Sequence, residues 1–253
     1  MKTHDLRPEP AKPGIRPAPG RPRQLSVGGV EPFTATDYPG QIAAVVFVQG
    51  CAWRCGYCHN PHLQPRTRHG AIQWDDLVAL LERRVGLIDA VVFSGGEPTT
   101  DPALADAMEH VRTMGFKIGL HSGGIHPRRL GQVLPRTDWV GLDVKAPFEN
   151  YERITRVRGS GHQARDSLEA VLDSGVDYEC RTTLHPSLLP AADILSLART
   201  LAGMKVKRYA LQLFRSQGCN DNGLNAAAMA GYPGERLIRE VSALFPDFTL
   251  RRG

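Results

Sequence analysis

Six short apolar runs alternate with segments of helical periodicity, and that alternation leaves the chain few architectures. The runs cover residues 42–48, 90–93, 116–120, 139–143, 178–184 and 209–214. The first, Ile-Ala-Ala-Val-Val-Phe-Val, has no polar position, so both of its faces are expected to be buried. Residues 73–84, 103–114, 127–134, 163–174 and 191–201 read as helices, with Leu77, Leu80, Leu81 and Arg84 on one face of the first, and a last helix is expected over 234–245. Asp101-Pro102 reads as a helix cap followed by proline in the first turn, and Gly175 as a helix stop. Strands alternating with helices predict an α/β fold with a parallel sheet of right-handed crossovers. In such folds chemistry collects at the carboxyl ends of the strands.

Composition narrows the partners. No run approaches the ~18 apolar residues of a membrane span, and the N-terminus has no apolar core of a secretory signal. Five cysteines without an export signal point to the reducing cytoplasm. The net charge of +5 lies mostly in residues 1–23, where six Lys and Arg stand against Asp5 and Glu9. The same stretch holds six prolines and is expected to be a disordered tail, leaving residues 24–253 as a single domain. The body carries no basic block interleaved with aromatics, so neither nucleic acid nor membrane is an expected partner.

Three of the five cysteines fall in Cys51-Ala-Trp-Arg-Cys55-Gly-Tyr-Cys58, directly after the first apolar run. Three thiolates can hold three corners of a four-iron cube and leave one iron open, whereas an electron-transfer cluster is usually closed by four. Structural zinc would need four N/S ligands, typically as two separated pairs. Here Cys55 and Cys58 make one pair, Cys51 is extra, and His59 or His62 would have to complete the tetrahedron. Cys180 and Cys219 stand far away, and Arg54, Gly56 and Tyr57 break any apolar face that three core cysteines would need. Four more polar or glycine-rich segments follow later runs: Ser94-Gly-Gly-Glu-Pro98, His121-Ser-Gly-Gly124, Asp143-Val-Lys145 and Arg181-Thr-Thr183.

The CxxxCxxC spacing on the loop after a first strand, the aromatic Tyr57 before the third cysteine, and the Ser-Gly-Gly-Glu-Pro loop resemble the radical S-adenosylmethionine superfamily across residues 25–214. The resemblance implies a partial (β/α)6 barrel that holds a [4Fe–4S] cluster on Cys51, Cys55 and Cys58. It further implies that the amino and carboxylate groups of S-adenosylmethionine chelate the fourth iron, and that one-electron reduction cleaves the sulfonium to a 5′-deoxyadenosyl radical. Tyr57, Gly95, Gly96, Glu97, Asp143, Lys145 and Arg181 form the expected cosubstrate set. Gly95 and Gly96 remove side chains so that backbone can approach a ligand closely, or else make only a tight turn. Glu97 offers a carboxylate to the ligand's amino group. Asp143 and Lys145 share one side of an extended segment, and Arg181 either forks onto the ligand carboxylate or makes an ordinary salt bridge.

Asp143-x-Lys145 resembles a pair found near the cosubstrate in the glycyl-radical-activating branch. That branch ends its third strand Asp-Thr-Asn-Gly, and here the aspartate is replaced by His121. Asp37-Tyr-Pro-Gly40 and Cys58-His-Asn-Pro61 are similar to segments of anaerobic ribonucleoside-triphosphate reductase activating proteins. The resemblance therefore implies an oxidoreductase that abstracts hydrogen from a backbone glycine of a glycyl radical enzyme, with the anaerobic reductase as first candidate. It also implies a low-potential electron donor such as flavodoxin or ferredoxin. No catalytic acid–base pair is nominated. The alternatives are another glycyl radical enzyme, a small-molecule substrate, or a non-catalytic zinc-stabilised module that binds a protein.

Overall fold

A computed structural model describes residues 24–67, 70–227, 229 and 231–252. The expected tail, residues 1–23, lies outside the described residues. Eight strands form one sheet in chain order: β1 (Val27–Thr34), β2 (Ala43–Val48), β3 (Ala90–Gly95), β4 (Lys117–Ser122), β5 (Trp139–Asp143), β6 (Asp177–Leu184), β7 (Arg208–Leu213) and β8 (Asp247–Arg251). The pairs from β2 to β8 are parallel, and β1 runs antiparallel to β2. The six expected strands are β2 to β7. The helices are α1 (Trp74–Glu82), α2 (Leu104–Thr113), α3 (Pro127–Val133), α4 (Tyr151–Thr155), α5 (Ser160–Ser174), α6 (Ala191–Gly203), α7 (Asn222–Ala226) and α8 (Glu235–Ser242). Among the described residues no helix is long and apolar enough to cross a membrane.

Each crossover steps to the next strand in the same direction, so right-handed connections stack the helices on one face of the sheet. Ala44, Val46, Val48, Val91 and Phe93 point to that face and join the large core with the helices. Their neighbours Ala43, Val45, Ala90 and Val92 point the other way and form a second, small cluster with Trp139 and Tyr38. The absence of polar positions in β2 is thereby explained: period-2 alternation divides the strand between two buried faces. Tyr38, from the Asp37–Gly40 turn, stacks on Trp139 at 5.2 Å between ring centroids, a geometry worth about 0.5–1.5 kcal/mol beyond its area. This turn plugs the amino end of the inner face of an open, partial barrel. Above the plug the inner face turns polar, with Ser94, His121, Asp143 and Arg181 on successive strands.

Most element boundaries shift by one or two residues from expectation, and three of the differences have a local cause. The second helix starts at Leu104 with Ala103 as its N-cap, so Pro102 sits in the preceding turn and not in the first helical turn. Asp101 still braces this end, because Oδ1 accepts the Ala103 N–H at 3.0 Å and Oδ2 accepts the Ser26 N–H at 3.0 Å. Helix α5 starts at Ser160, three residues early, where the Ser160 and Thr155 hydroxyls pair at 2.6 Å. The last helix is shorter than expected, because β8 follows it.

Candidate functional site

A cleft of about 690 Å³ opens at the carboxyl ends of the parallel strands, and all ten residues singled out from the sequence line it. The cysteine loop is seated by backbone bonds: Gly50 N–H to the Leu63 carbonyl at 2.7 Å, Cys51 N–H to Gln64 at 3.1 Å and Arg54 N–H to Thr155 at 2.9 Å. Arg54 Nη1 also donates to the Cys51 and Trp53 carbonyls at 2.6 and 2.8 Å. All five cysteines are free. Burial pushes the Cys51 thiol up to about 12, and the charge of Glu97 adds to that. Burial also raises Cys55, against the pull of the Lys145 ammonium.

Among the described residues no three His, Cys, Asp or Glu side chains are grouped to hold a single metal ion. A cluster asks for something else, one thiolate per iron at separate corners. Cys51, Cys55 and Cys58 all face the cleft. Cys180 is buried in the helix-side core, and Cys219 directs Sγ to the Gly56 carbonyl at 3.6 Å, behind the loop. The donor set is therefore three soft thiols and no fourth, which suits a [4Fe–4S] cluster with one open iron.

Gly95 and Gly96 serve the chain itself first. A Cβ on Gly95, at φ +111°, would lie 2.5 Å from Val48 N, and one on Gly96 would strike the Gly50 carbonyl oxygen. With side chains absent, Gly96 N–H reaches the Val48 carbonyl and Glu97 N–H the Gly50 carbonyl, each at 2.9 Å. The β3 loop thus lies directly against the start of the cysteine loop.

Glu97 is 1% exposed. Its Oε1 accepts the Thr99 N–H at 3.2 Å, the Thr99 hydroxyl at 2.5 Å and the Ser122 hydroxyl at 2.8 Å. Oε2 accepts the Gly123 N–H at 2.8 Å. Burial raises its carboxyl above the ordinary value against these four donors. The sequence expectation gave this carboxylate to a ligand amine; in this structure it lines the cleft and also braces the β3 loop against the β4 loop.

Lys145 Nζ donates to Asp143 Oδ2 at 3.1 Å, and lies 5.7 Å from the centroid of the buried Tyr57 ring. The Lys145 N–H donates to the Tyr151 hydroxyl at 2.9 Å, and that hydroxyl donates to the Asp143 carbonyl at 3.2 Å, which fixes the pair at the rim of β5. Burial works against both charges, yet each stabilises the other: Asp143 is held below the ordinary carboxylate value and Lys145 well above the ordinary amine value.

Arg181 lines the cleft and makes a salt bridge within the chain. Its Nε donates to Glu179 Oε1 at 2.9 Å, and its guanidinium lies 4.8 Å from the Trp139 ring centroid. Arg251 grips the same carboxylate with both ends of its fork, at 2.7 and 2.9 Å. Burial alone would raise Glu179, but the Arg251 hydrogen bonds and the Arg181 charge outweigh it and hold the carboxyl low. A group depressed in this way stabilises the fold fully above its unfolded value of about 4.3 and loses that contribution as pH falls through the folded value. The melting-point gap between wild type and Glu179→Gln is therefore expected to be constant at neutral pH and to shrink in acid. A gap unchanged down to acid pH in a series of thermal melts would exclude the linkage.

His121 occupies the position of the branch's aspartate. Burial, then the Arg181 charge, lowers it to about 4, so the ring is neutral. Nδ1 lies 3.3 Å from the Ser94 hydroxyl, and Nε2 lies 2.8 Å from the Asp37 carbonyl and 3.2 Å from Arg181 Nη1. Proton on Nε2 satisfies the Asp37 carbonyl and leaves Nδ1 to accept from Ser94, with Arg181 Nη1 then a close donor neighbour and not a hydrogen-bond partner. His59 turns its ring onto Phe214 at 5.7 Å and pairs Nε2 with the Arg215 carbonyl at 2.9 Å. Asn60 makes no side-chain cap for the turn that follows it.

Trp53, Gln212, Arg215, Arg251 and Arg252 also line the cleft and were not singled out from the sequence. Gln212 and Arg251 are paired across β7 and β8. The only available signal was their place just after apolar positions, and β8 was too polar to read.

The family model of the Radical SAM superfamily matches residues 45–200. The chain is similar to the protein MJ1227 of Methanocaldococcus jannaschii, whose name proposes it as a glycyl-radical enzyme activating enzyme, at 28% identity over 86% of this chain and 90% of that one. It is similar to the pyruvate formate-lyase-activating enzyme of Clostridium pasteurianum at 30% identity, over 77% of this chain and 84% of that one. In fold it resembles the crystal structure of QueE from Escherichia coli, with a TM-score of 0.58 and 18% identity over 90% of this chain and 94% of that one.

Proposed function

The chain belongs to the Radical SAM superfamily, and from that membership we propose that it is an activase for a glycyl radical enzyme, with anaerobic ribonucleoside-triphosphate reductase as its partner. The family implies a [4Fe–4S] cluster and S-adenosylmethionine. The reading is supported above all by one arrangement: three cleft-facing thiols stand with the Asp143–Lys145 pair in a chain whose relatives, matched over most of their length, are named for activating enzymes.

Cys51, Cys55 and Cys58 would hold the cluster. When bound, the cluster and cosubstrate supply the one-electron chemistry that removes a hydrogen atom from the substrate carbon. The protein's part is to bind, orient and exclude water. Lys145 favours a thiolate at Cys55 by its charge. Gly95 and Gly96 bring backbone to the cleft wall, and Glu97 fixes the two loops that form it. Trp53 and Tyr57, at 1% and 6% exposure, keep the wall beside the cysteines dry. Asp143, Lys145 and Arg181 are the polar groups that would orient the cosubstrate. The electron is assigned to flavodoxin or ferredoxin.

The test is an anaerobic incubation of the reconstituted, reduced protein with S-adenosylmethionine and the candidate reductase. A glycyl doublet by electron paramagnetic resonance, with deoxyadenosine formed alongside, is expected. Deoxyadenosine without the doublet removes this partner, and formation of neither overturns the activity.

A further inference from the structure

One exposed face of the chain is cationic and lies outside the cleft, around the turn Pro98–Thr100 that follows β3. Arg129 Nη1 donates to the Thr100 carbonyl at 2.9 Å and lies 3.3 Å from the Thr99 carbonyl. His126 Nε2 lies 3.4 Å from the Thr100 hydroxyl. Arg66 comes in from the other side: a Cβ placed on Gly50 would lie 3.6 Å from Arg66 Cγ and 3.7 Å from Thr100 Cγ2. Arg66, Arg128 and Arg129 are exposed, and His126 is half-buried. Burial, then the charges of Arg129 and Arg66, lowers His126 below the ordinary histidine value, so its ring adds no charge at neutral pH. Among the described residues none of the three arginines pairs with a carboxylate. The carboxylates of the same turn are buried and already engaged, Glu97 by its four donors and Asp101 by the Ser26 and Ala103 N–H groups.

Gln64 and Ile125 line the cleft while Arg66 and His126 do not, so this face is the outer side of the cleft wall. It is also the outer side of the first cysteine. The Arg66 stem covers Gly50, which is bonded to Cys51, and the Cys51 N–H is held by the Gln64 carbonyl at 3.1 Å. One peptide unit thus separates the face from a thiol that would ligate the cluster. Electron tunnelling falls steeply with distance, so a donor seated here has a short route and leaves the mouth of the cleft free for the substrate. We propose that Arg66, Arg128 and Arg129 form the docking face of an acidic one-electron donor protein. Carboxylates of the donor pair with the guanidinium forks. The donor gives up one electron, the cluster on Cys51, Cys55 and Cys58 gains it, and no bond or proton is exchanged. The proposal rests on the reading that these cysteines hold a reducible cluster.

A reduced acidic flavodoxin tests it, with the reconstituted full-length protein and with its iron-free form. Stopped-flow absorbance follows cluster reduction, and titration of the iron-free form follows docking alone. The reduction rate is expected to fall as salt is added. Arg66→Glu with Arg128→Glu, checked for fold by circular dichroism, is expected to lower both the flavodoxin rate and the affinity roughly tenfold at low salt. Reduction by dithionite, which needs no docking, should be unchanged. Arg129 is left in place because it braces the turn. Arg199→Glu with Lys207→Glu, an equal charge change at exposed positions on α6 and before β7, is expected to leave all three readouts as in wild type. Wild-type rate and affinity in the first double variant, or an equal loss in the second, overturns the docking face. Deoxyadenosine formed with dithionite in that case keeps the activity and removes only this face. A reconstituted protein that dithionite cannot reduce removes the cluster reading itself, whatever the titration shows.

Discussion

Replacing Cys55 by serine is expected to give a folded, colourless protein that forms no deoxyadenosine. Without iron, burial holds the Cys51 thiol near 12 and raises Cys55 as well, so both are protonated at neutral pH. Only metal binding makes thiolates there, and the free energy of ligation offsets the cost of removing the protons. A serine hydroxyl is far harder to deprotonate and is a poor ligand for iron. With just three thiols on the cleft, nothing can take its place: Cys219 is turned to the Gly56 carbonyl and Cys180 lies in the helix-side core. The loss should exceed the roughly 10–100-fold that changes to outer-shell partners of a metal cost. Cys180→Ala is the matched control, since it removes a buried sulfur on the other face of β6. It should keep iron and colour. Iron content, visible absorption and deoxyadenosine yield, measured side by side, decide the matter. Wild-type iron in Cys55→Ser, or loss of colour in Cys180→Ala, would place the cluster elsewhere.

The site was legible where it depends on strand order and hidden where it depends on strand pairing. Parallel strands bring their carboxyl ends to one rim whatever their neighbours are, so the residues after 48, 93, 120 and 143 could be gathered from periodicity alone. Strands β2 to β5 were readable because they are largely buried on both faces and rich in apolar residues, and β6 and β7 because large residues alternate with polar ones along them. The edge strands were not. β1 reads Val-Gly-Gly-Val-Glu-Pro-Phe-Thr and β8 reads Asp-Phe-Thr-Leu-Arg, half-exposed segments whose glycines, proline and charges mimic loops. Missing β8 meant missing Arg251, and with it the reason Arg181 is held in place. The pairing of Glu179 with Arg181 was within reach, since residues two apart share a face of a strand. That the same carboxylate also takes Arg251, 72 residues on, was not. Asp37–Gly40 was correctly a turn, yet its burial of Tyr38 against Trp139 depends on a long-range contact that composition does not carry.

Glu97→Ala is expected to lower the melting temperature of the holoprotein by about 4–24 °C. The carboxylate stands between two loops and accepts from both, and the alanine would leave four donors behind. The Thr99 and Ser122 hydroxyls can turn to other acceptors. The Thr99 and Gly123 N–H groups are fixed by the backbone, and a buried donor left without a partner costs about 1–3 kcal/mol. Two such groups make about 2–6 kcal/mol, and a chain of this size loses about 2–4 °C for each. Glu97→Gln separates this role from the one the sequence suggested. Its oxygen can keep the Thr99 and Ser122 bonds, but its NH2 would then face the Gly123 N–H, donor against donor. An intermediate drop in melting temperature is the expected result, with S-adenosylmethionine binding weakened in step as the Gly123 loop loosens. Were Glu97 instead a ligand-facing carboxylate alone, both variants would lose cosubstrate affinity at an unchanged melting temperature. Calorimetric melts paired with S-adenosylmethionine titrations tell the two apart, because a brace moves both quantities together and a contact moves only one.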